Sequence, residues 1–291
     1  MKDFEYAAVS TIDEAVSLLS ARGPMATILA GGTDILVQLR EGHRQAELVV
    51  DVKKIPELLE IDFQPDRGLR LGAAVPCYRI YEDAAVAAAY PGLVDAAQII
   101  GGWQIQSRAS VGGNLCNSSP AADSIPPLIA YDAACVIAGP ERTRRVPVAR
   151  FCTAPGKNVL RRGEFLVGLE FPPPQPRSGC RYQRFIPRNE MDIAVVGVAS
   201  WVCLRPRENV IEAARIALAA VAPTPVLATE ASDWLAGKPA NAESFTQAGE
   251  LAKRAARPIS DIRGPAEYRT HLVGVLTKRT LSDAVQRALA P

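Results

Sequence analysis

The residues of this chain best suited to chemistry are glycines, small polar side chains and one acid. The stretch Ala109-Ser-Val-Gly-Gly-Asn-Leu-Cys-Asn-Ser-Ser-Pro-Ala-Ala-Asp123 holds the Gly112-Gly113 pair, Asn114, Asn117, Ser118 and a closing carboxylate. Glycine has no Cβ and tolerates positive φ, so its amide can lie directly against a ligand. Successive N–H groups turned into one concavity make a nest for anionic oxygens, phosphate above all. A second stretch of this kind, Ile28-Leu-Ala-Gly-Gly-Thr-Asp-Ile-Leu36, lies about eighty residues earlier. There Gly31 and Gly32 leave a short apolar run and meet a helix start predicted at Thr33 or Asp34. Either pair alone also reads as a tight turn between strand and helix. Two such loops in one domain point to a ligand with two phosphates.

Other chemistries find little support. The six cysteines, at 77, 116, 135, 152, 180 and 203, include no C-x-x-C, so zinc and iron–sulfur ligand sets are not indicated and buried free thiols are expected. His43 and His271 stand alone. No G-x-G-x-x-G follows a strand, and there is no Walker loop and no G-x-S-x-G. A net charge of +2 leaves no nucleic-acid footprint, and Arg142–Arg145 reads as a solvated strand edge. No apolar run reaches the roughly 20 residues of a membrane helix, and the start of the chain lacks a signal-peptide pattern. A cytoplasmic protein is expected. Trp103, seven residues before Ser110, reads as a core or interface aromatic.

The elements that must position the two loops follow from periodicity and punctuation. A chain of 291 residues, 48% hydrophobic and 22% charged, suits two globular domains. Thr11-Ile-Asp-Glu14 is a capping box before an apolar stripe that stops at Gly23-Pro24. Strands are predicted over 26–30, 48–52, 69–75, 133–138, 145–148 and 165–171, and helices over 34–40, 80–89 and 93–100, with another starting at Pro126-Pro127. Pro172-Pro-Pro-Gln-Pro176 is a stiff linker, giving domains 1–174 and 177–291. Beyond it, strands are predicted over 181–186 and 194–204, and helices over 226–235, 242–255 and 265–289. The alanine-rich run Ile211–Val221 fits either type.

The two glycine stretches resemble the paired flavin-binding signatures of the FAD-binding subunit of molybdenum hydroxylases. That family includes the medium subunits of aerobic carbon monoxide dehydrogenases and bacterial xanthine dehydrogenases. Arg184-Phe-Ile-Pro-Arg-Asn-Glu-Met-Asp-Ile-Ala194, Ala222-Pro-Thr-Pro225 and Asp261-Ile-Arg-Gly-Pro-Ala-Glu-Tyr-Arg269 resemble its later landmarks, in order, over nearly the whole chain. The resemblance implies an α+β fold: a two-lobed FAD-binding domain, then a small α+β domain like the carbon monoxide dehydrogenase flavoprotein C-terminal domain. It also makes Ile211–Val221 a strand.

By the same resemblance, Ile28, Leu29, Ala30, Gly31, Gly32, Thr33, Asp34 and Ile35 wrap the FAD pyrophosphate from one side. Ser110, Val111, Gly112, Gly113 and Asn114 do so from the other. Asp123 contacts the sugar portion, with a helix N-cap as its plainer reading. Ile100 and Leu160 pack on the flavin ring, or simply in the core. Arg184 stands where several relatives carry a lysine near the isoalloxazine, or is a surface strand arginine. The implied function is electron transfer from the [2Fe–2S] clusters of a small subunit, through FAD, to an external acceptor. The electrons come from a substrate oxidised at molybdopterin in a large subunit, within a dimer of heterotrimers. The rivals are a stand-alone FAD-dependent reductase and a non-enzymatic scaffold relative.

Overall fold

The capping box at Thr11 closes in both directions: the Glu14 N–H donates to Thr11 Oγ1 at 3.2 Å, and Glu14 accepts from the Thr11 N–H. It starts α1 (Ile12–Arg22), which buries Ala15, Val16 and Leu19 and ends at Gly23. This helix joins β1 (Glu5–Ala8) to β2 (Ala26–Leu29), and α2 (Ile35–Glu41) joins β2 to β3 (Leu48–Asp51). The strands form a parallel sheet in the order β1-β3-β2. As the middle strand of a parallel sheet, β3 is covered on both faces, which accounts for its unbroken Leu-Val-Val run. The computed structural model describes residues 2–188 and 191–290, so Asn189 and Glu190 of the Arg184–Ala194 landmark lie outside the described residues.

A second lobe is built on an antiparallel sheet. It contains β4 (Ile61–Gln64), β5 (Gly68–Gly72), β6 (Ala134–Ala138), β7 (Arg144–Pro147) and, after the hairpin of β8 (Cys152–Ala154) and β9 (Lys157–Asn158), β10 (Phe165–Phe171). The order is β4-β5-β10-β6-β7. Between β5 and β6 run short helices: α3 (Cys77–Glu82), α4 (Ala84–Ala89), α5 (Pro91–Ala97), α6 (Trp103–Gln106), α7 (Val111–Asn117) and α8 (Ile125–Ala130). Three sequence expectations need correction here. The helix expected over 80–89 is two, broken at Asp83, whose carboxylate accepts from the Ala85 and Val86 N–H groups and so starts a new helix. The helix expected over 93–100 ends at Ala97, leaving Ile100 on the connection. The central stretch is not all loop: Ser110 caps α7 and places both glycines in its first turn.

The last part is an antiparallel sheet of β11 (Ser178–Phe185), β12 (Val196–Leu204), β13 (Ile211–Ala219) and β14 (Val226–Leu227), in that order. With α9 (Thr229–Leu235), α10 (Ala242–Lys253) and α11 (Ala266–Leu289) it completes an α+β chain. Alanine-rich β13 is a strand because it fills an interior place between β12 and β14, where packing outweighs alanine's helical preference. Val226 and Leu227 pair with Leu218 and Ala217, so the helix expected over 226–235 begins only at Thr229. Side chains alternate along β11. Gly179, Arg181 and Gln183 turn towards α11, while Cys180 and Tyr182 turn towards α5 and α8. A buried cluster of Ala96, Ala130, Cys180, Tyr182 and Ala199 therefore joins the second lobe to this sheet. The Asp95 carboxylate crosses the same junction, accepting from Arg181, Arg287 and the Tyr182 N–H.

Candidate functional site

A cleft of about 1120 Å³ runs between the two lobes and reaches the edge of the C-terminal sheet at Arg184. That exceeds the roughly 300–1,000 Å³ usual for drug-sized ligands and suits a dinucleotide. One wall is the turn from β2 into α2. Gly32 holds φ +84°, and a Cβ on Gly31 would stand 2.0 Å from the Arg108 carbonyl oxygen. Gly31 is therefore glycine because the approach to the second stretch passes directly against it. Gln38 Nε2 donates to Asn117 Oδ1 at 3.0 Å, tying the two walls together further along.

The other wall is the start of α7. The Gly113 N–H donates to Ser110 Oγ at 3.0 Å and the Asn114 N–H to the Ser110 carbonyl at 2.9 Å. Both Gly112 and Gly113 are helical, so the positive φ their types allow is not used. Their roles differ. A Cβ on Gly112 would lie 2.4 Å from the Ala73 carbonyl oxygen, whereas one on Gly113 meets only Ser110 Oγ, at 3.0 Å, and is otherwise in open space. Among the described residues, the N–H groups of Gly31, Gly32, Thr33, Asp34 and Gly112 find no acceptor. Amides left without partners at a cleft wall suit the oxygens of a pyrophosphate.

Asp123 lies on the chain between α7 and α8, 8% exposed. Ser124, not Asp123, holds the N-cap position of α8. Asp123 instead accepts from the Tyr182 hydroxyl at 2.7 Å and from the Arg184 guanidinium, both on β11. Burial pushes its carboxyl above the ordinary range, while the Arg184 charge and the two hydrogen bonds pull it back. Arg184 is thus no surface arginine: its side chain is 8% exposed and shares an ion pair with Asp123. Asn114 turns its amide oxygen to Ser124, accepting from Oγ at 2.6 Å.

The sequence-predicted residues Ile28, Ala30, Gly31, Gly32, Thr33, Asp34, Ile35, Ile100, Ser110, Gly112, Gly113, Asn114, Asp123, Leu160 and Arg184 all line this one cleft. Leu29 and Val111 do not, because the alternation of strand and helix turns their side chains inward. Leu29 packs with Leu39 and Val49, and Val111 is in the core of the second lobe. Sequence reasoning missed Arg44, Lys157, Arg161 and Arg162, which also line the cleft and make no salt bridge among the described residues. Cations scattered over a hundred positions carry no local pattern. Trp103 is not in the core: it is 65% exposed, with its ring tilted against Tyr81 at 6.4 Å. Met191 and Ile193, 60% and 51% exposed, line the cleft, and a Cβ on Gly102, next to Trp103, would stand 3.4 Å from the Met191 sulfur. These two apolar side chains flank Asp192, which also lines the cleft.

Residues 2–174 match the family described as the FAD binding domain in molybdopterin dehydrogenase, and residues 181–284 match the CO dehydrogenase flavoprotein C-terminal domain. The xanthine dehydrogenase FAD-binding subunit of Escherichia coli O157:H7 is 36% identical over 290 residues, covering 99% of this chain and 98% of its own. The carbon monoxide dehydrogenase medium chain of Hydrogenophaga pseudoflava is 32% identical over 291 residues, with 98% of each chain covered. A solved carbon monoxide dehydrogenase from that organism, lacking the Mo-pyranopterin moiety of its molybdenum cofactor, superposes with a TM-score of 0.93 at 31% identity, with 98% of each chain covered. Quinoline 2-oxidoreductase from Pseudomonas putida 86 does so at 0.91 and 29% identity, over 100% of both chains.

Proposed function

The chain belongs to the family of FAD-binding medium subunits of molybdenum hydroxylases, and from that premise we propose that the cleft between its lobes is the FAD site. The chain is an oxidoreductase component that carries electrons from the [2Fe–2S] clusters of a small partner subunit, through FAD, to an external acceptor. Molybdopterin belongs to a large partner subunit, where substrate is oxidised. The observation that carries the assignment is the convergence of unpartnered N–H groups from two separate stretches on one cleft with an apolar end.

The residues divide by chemistry. The amides of Gly31–Asp34 and Gly112 suit the pyrophosphate, each charge-assisted bond contributing about 1.5–3 kcal/mol. Arg44, Lys157, Arg161 and Arg162 add a favourable field for the dianion. A carboxylate beside phosphate is repelled, so Asp123 suits hydroxyl groups of the sugar portion. Ile100 and Leu160 offer the flavin ring apolar contact, and Arg184 stands at that end with its charge shared with Asp123. When bound, FAD supplies the electron exchange itself, and the protein contributes placement and field.

The proposed division into domains 1–174 and 177–291 puts their joint in the Pro172–Pro176 linker; it is supported by the break between β10 and β11, where the Tyr90 hydroxyl donates to the Pro172 carbonyl at 2.8 Å. All six cysteines are free thiols, as a reducing compartment allows, which favours the cytoplasm. A dimer of heterotrimers is the assembly proposed, to be read from native mass. The functional test is reconstitution. The purified chain should accept electrons from a chemical reductant but oxidise no purine, aldehyde, aromatic or carbon monoxide substrate. Adding the molybdenum and iron–sulfur subunits should restore oxidation. Turnover by the isolated chain would refute the assignment.

A further inference from the structure

Tyr182 occupies a place built for it. It is 2% exposed on β11, and its hydroxyl fills the space where any side chain at Gly197 on β12 would stand, a Cβ there being 2.5 Å from the phenol oxygen. Gly197 pairs with Arg184 in the sheet, so a single glycine opens the slot beside both residues that reach Asp123. The Tyr182 hydroxyl donates to Asp123 Oδ1 at 2.7 Å, while Arg184 takes Oδ2. A carboxylate has about four acceptor positions, so two remain for the cleft that Asp123 lines. Phenylalanine here would leave the space of that oxygen empty and Asp123 Oδ1 without its phenol donor.

We propose that Tyr182 is a positioning residue for the flavin site: its hydroxyl and Arg184 hold Asp123 ionised and aimed, leaving its free lone pairs to accept hydroxyl groups of the bound dinucleotide. The inference rests on reading the cleft as the FAD site. It makes a domain that supplies little of the cleft responsible for the state of the acid within it. The groups facing Asp123 support the assignment. Tyr182 and Arg184 reach it from β11, and neither α7 nor α8 carries a charged residue. The Asn114 amide oxygen accepts from Ser124, and Asp192, on the segment lining the cleft mouth, accepts from Arg188 and the Ile193 N–H. Among the described residues, Tyr182 and Arg184 are the side-chain donors that reach the Asp123 carboxylate.

The sign of the pH effect follows. Hydroxyl groups of a ligand donate to the ionised carboxylate, so FAD affinity falls as pH drops through the Asp123 pKa of the empty cleft. Removing one donor to the ionised form raises that pKa. Tyr182→Phe should therefore move the acid-side loss of FAD affinity upward by about one to two pH units, the worth of a hydrogen bond to a charged group. FAD dissociation constants of the full chain would be measured by flavin fluorescence against pH, with thermal unfolding in parallel. Asp123→Asn should bind weakly and without this pH dependence. Gly197→Ala, which keeps the phenol but displaces its oxygen, should shift the profile as Tyr182→Phe does and carries the test if that variant does not fold. A Tyr182→Phe profile superimposed on that of the wild type, with Asp123→Asn altered, overturns the role of Tyr182 alone. A wild-type chain that binds no FAD overturns the site reading beneath it.

Discussion

Two adjacent glycines give opposite predictions. Alanine at Gly112 places a Cβ 2.4 Å from the Ala73 carbonyl oxygen and 2.7 Å from Ala73 Cα, where ordinary contact requires about 3.5–4 Å. The start of α7 must move by roughly 1 Å. Overpacking of this kind costs about 1–3 kcal/mol, against a helical gain of about 0.5–1 kcal/mol over glycine. The net loss of about 1–2 kcal/mol lowers the melting temperature by about 2–8 °C. Alanine at Gly113 meets only the Ser110 hydroxyl, at 3.0 Å, so the apo protein should be as stable as the wild type or more so, by up to about 1 kcal/mol. Its methyl stands at the cleft wall where phosphate must approach. Losing one charge-assisted bond there weakens FAD by about 10- to 150-fold. The assay pairs thermal unfolding of the apo chain with FAD titration followed by fluorescence. Gly113→Ala binding FAD as the wild type does, or Gly112→Ala melting with it, would refute the division of roles.

Other perturbations follow from the same structure. Asp95→Ala leaves the Arg287 charge without its carboxylate and Arg181 with Asp283 alone, and should cost about 1–3 kcal/mol in urea denaturation; an unchanged midpoint would contradict that role. Glu164 is held below the usual carboxylate range chiefly by Arg144. Its contribution is then present above the unfolded pKa of about 4.3 and lost as pH falls through the folded value. The stability gap between wild type and Glu164→Gln should be widest near neutrality and close in acid. Trp103→Asp should leave folding and FAD content intact but weaken association with the iron–sulfur subunit in size-exclusion chromatography, because its ring is exposed next to Gly102, which stands against the cleft-lining Met191.

Local signals in the sequence carried much of this site. Glycine pairs announced the two walls, and the Thr11 capping box and the strand patterns located the first lobe. What stayed hidden depends on residues far apart. Gly31 is glycine because of Arg108, and Gly112 because of Ala73, and neither neighbour is visible in a local window. Asp123 could be read either as a sugar contact or as a helix cap before Pro126-Pro127, and its partners, 59 and 61 residues away on β11, were not legible locally. The α7 helix was missed because Gly-Gly argues against helix, and the Ser110 cap and burial of Val111 and Leu115 override that preference. Ile211–Val221 could not be typed from alanine alone; its neighbours in the sheet decide it.

The central claim is that the cleft holds one FAD without a covalent bond. Acid precipitation of the purified chain or its complex, with chromatographic identification of the released flavin against protein concentration, tests it most directly. The account predicts FAD in the supernatant, one per chain, and a colourless pellet. Flavin retained in the pellet, FMN in place of FAD, or no flavin under conditions where the chain is folded would contradict it.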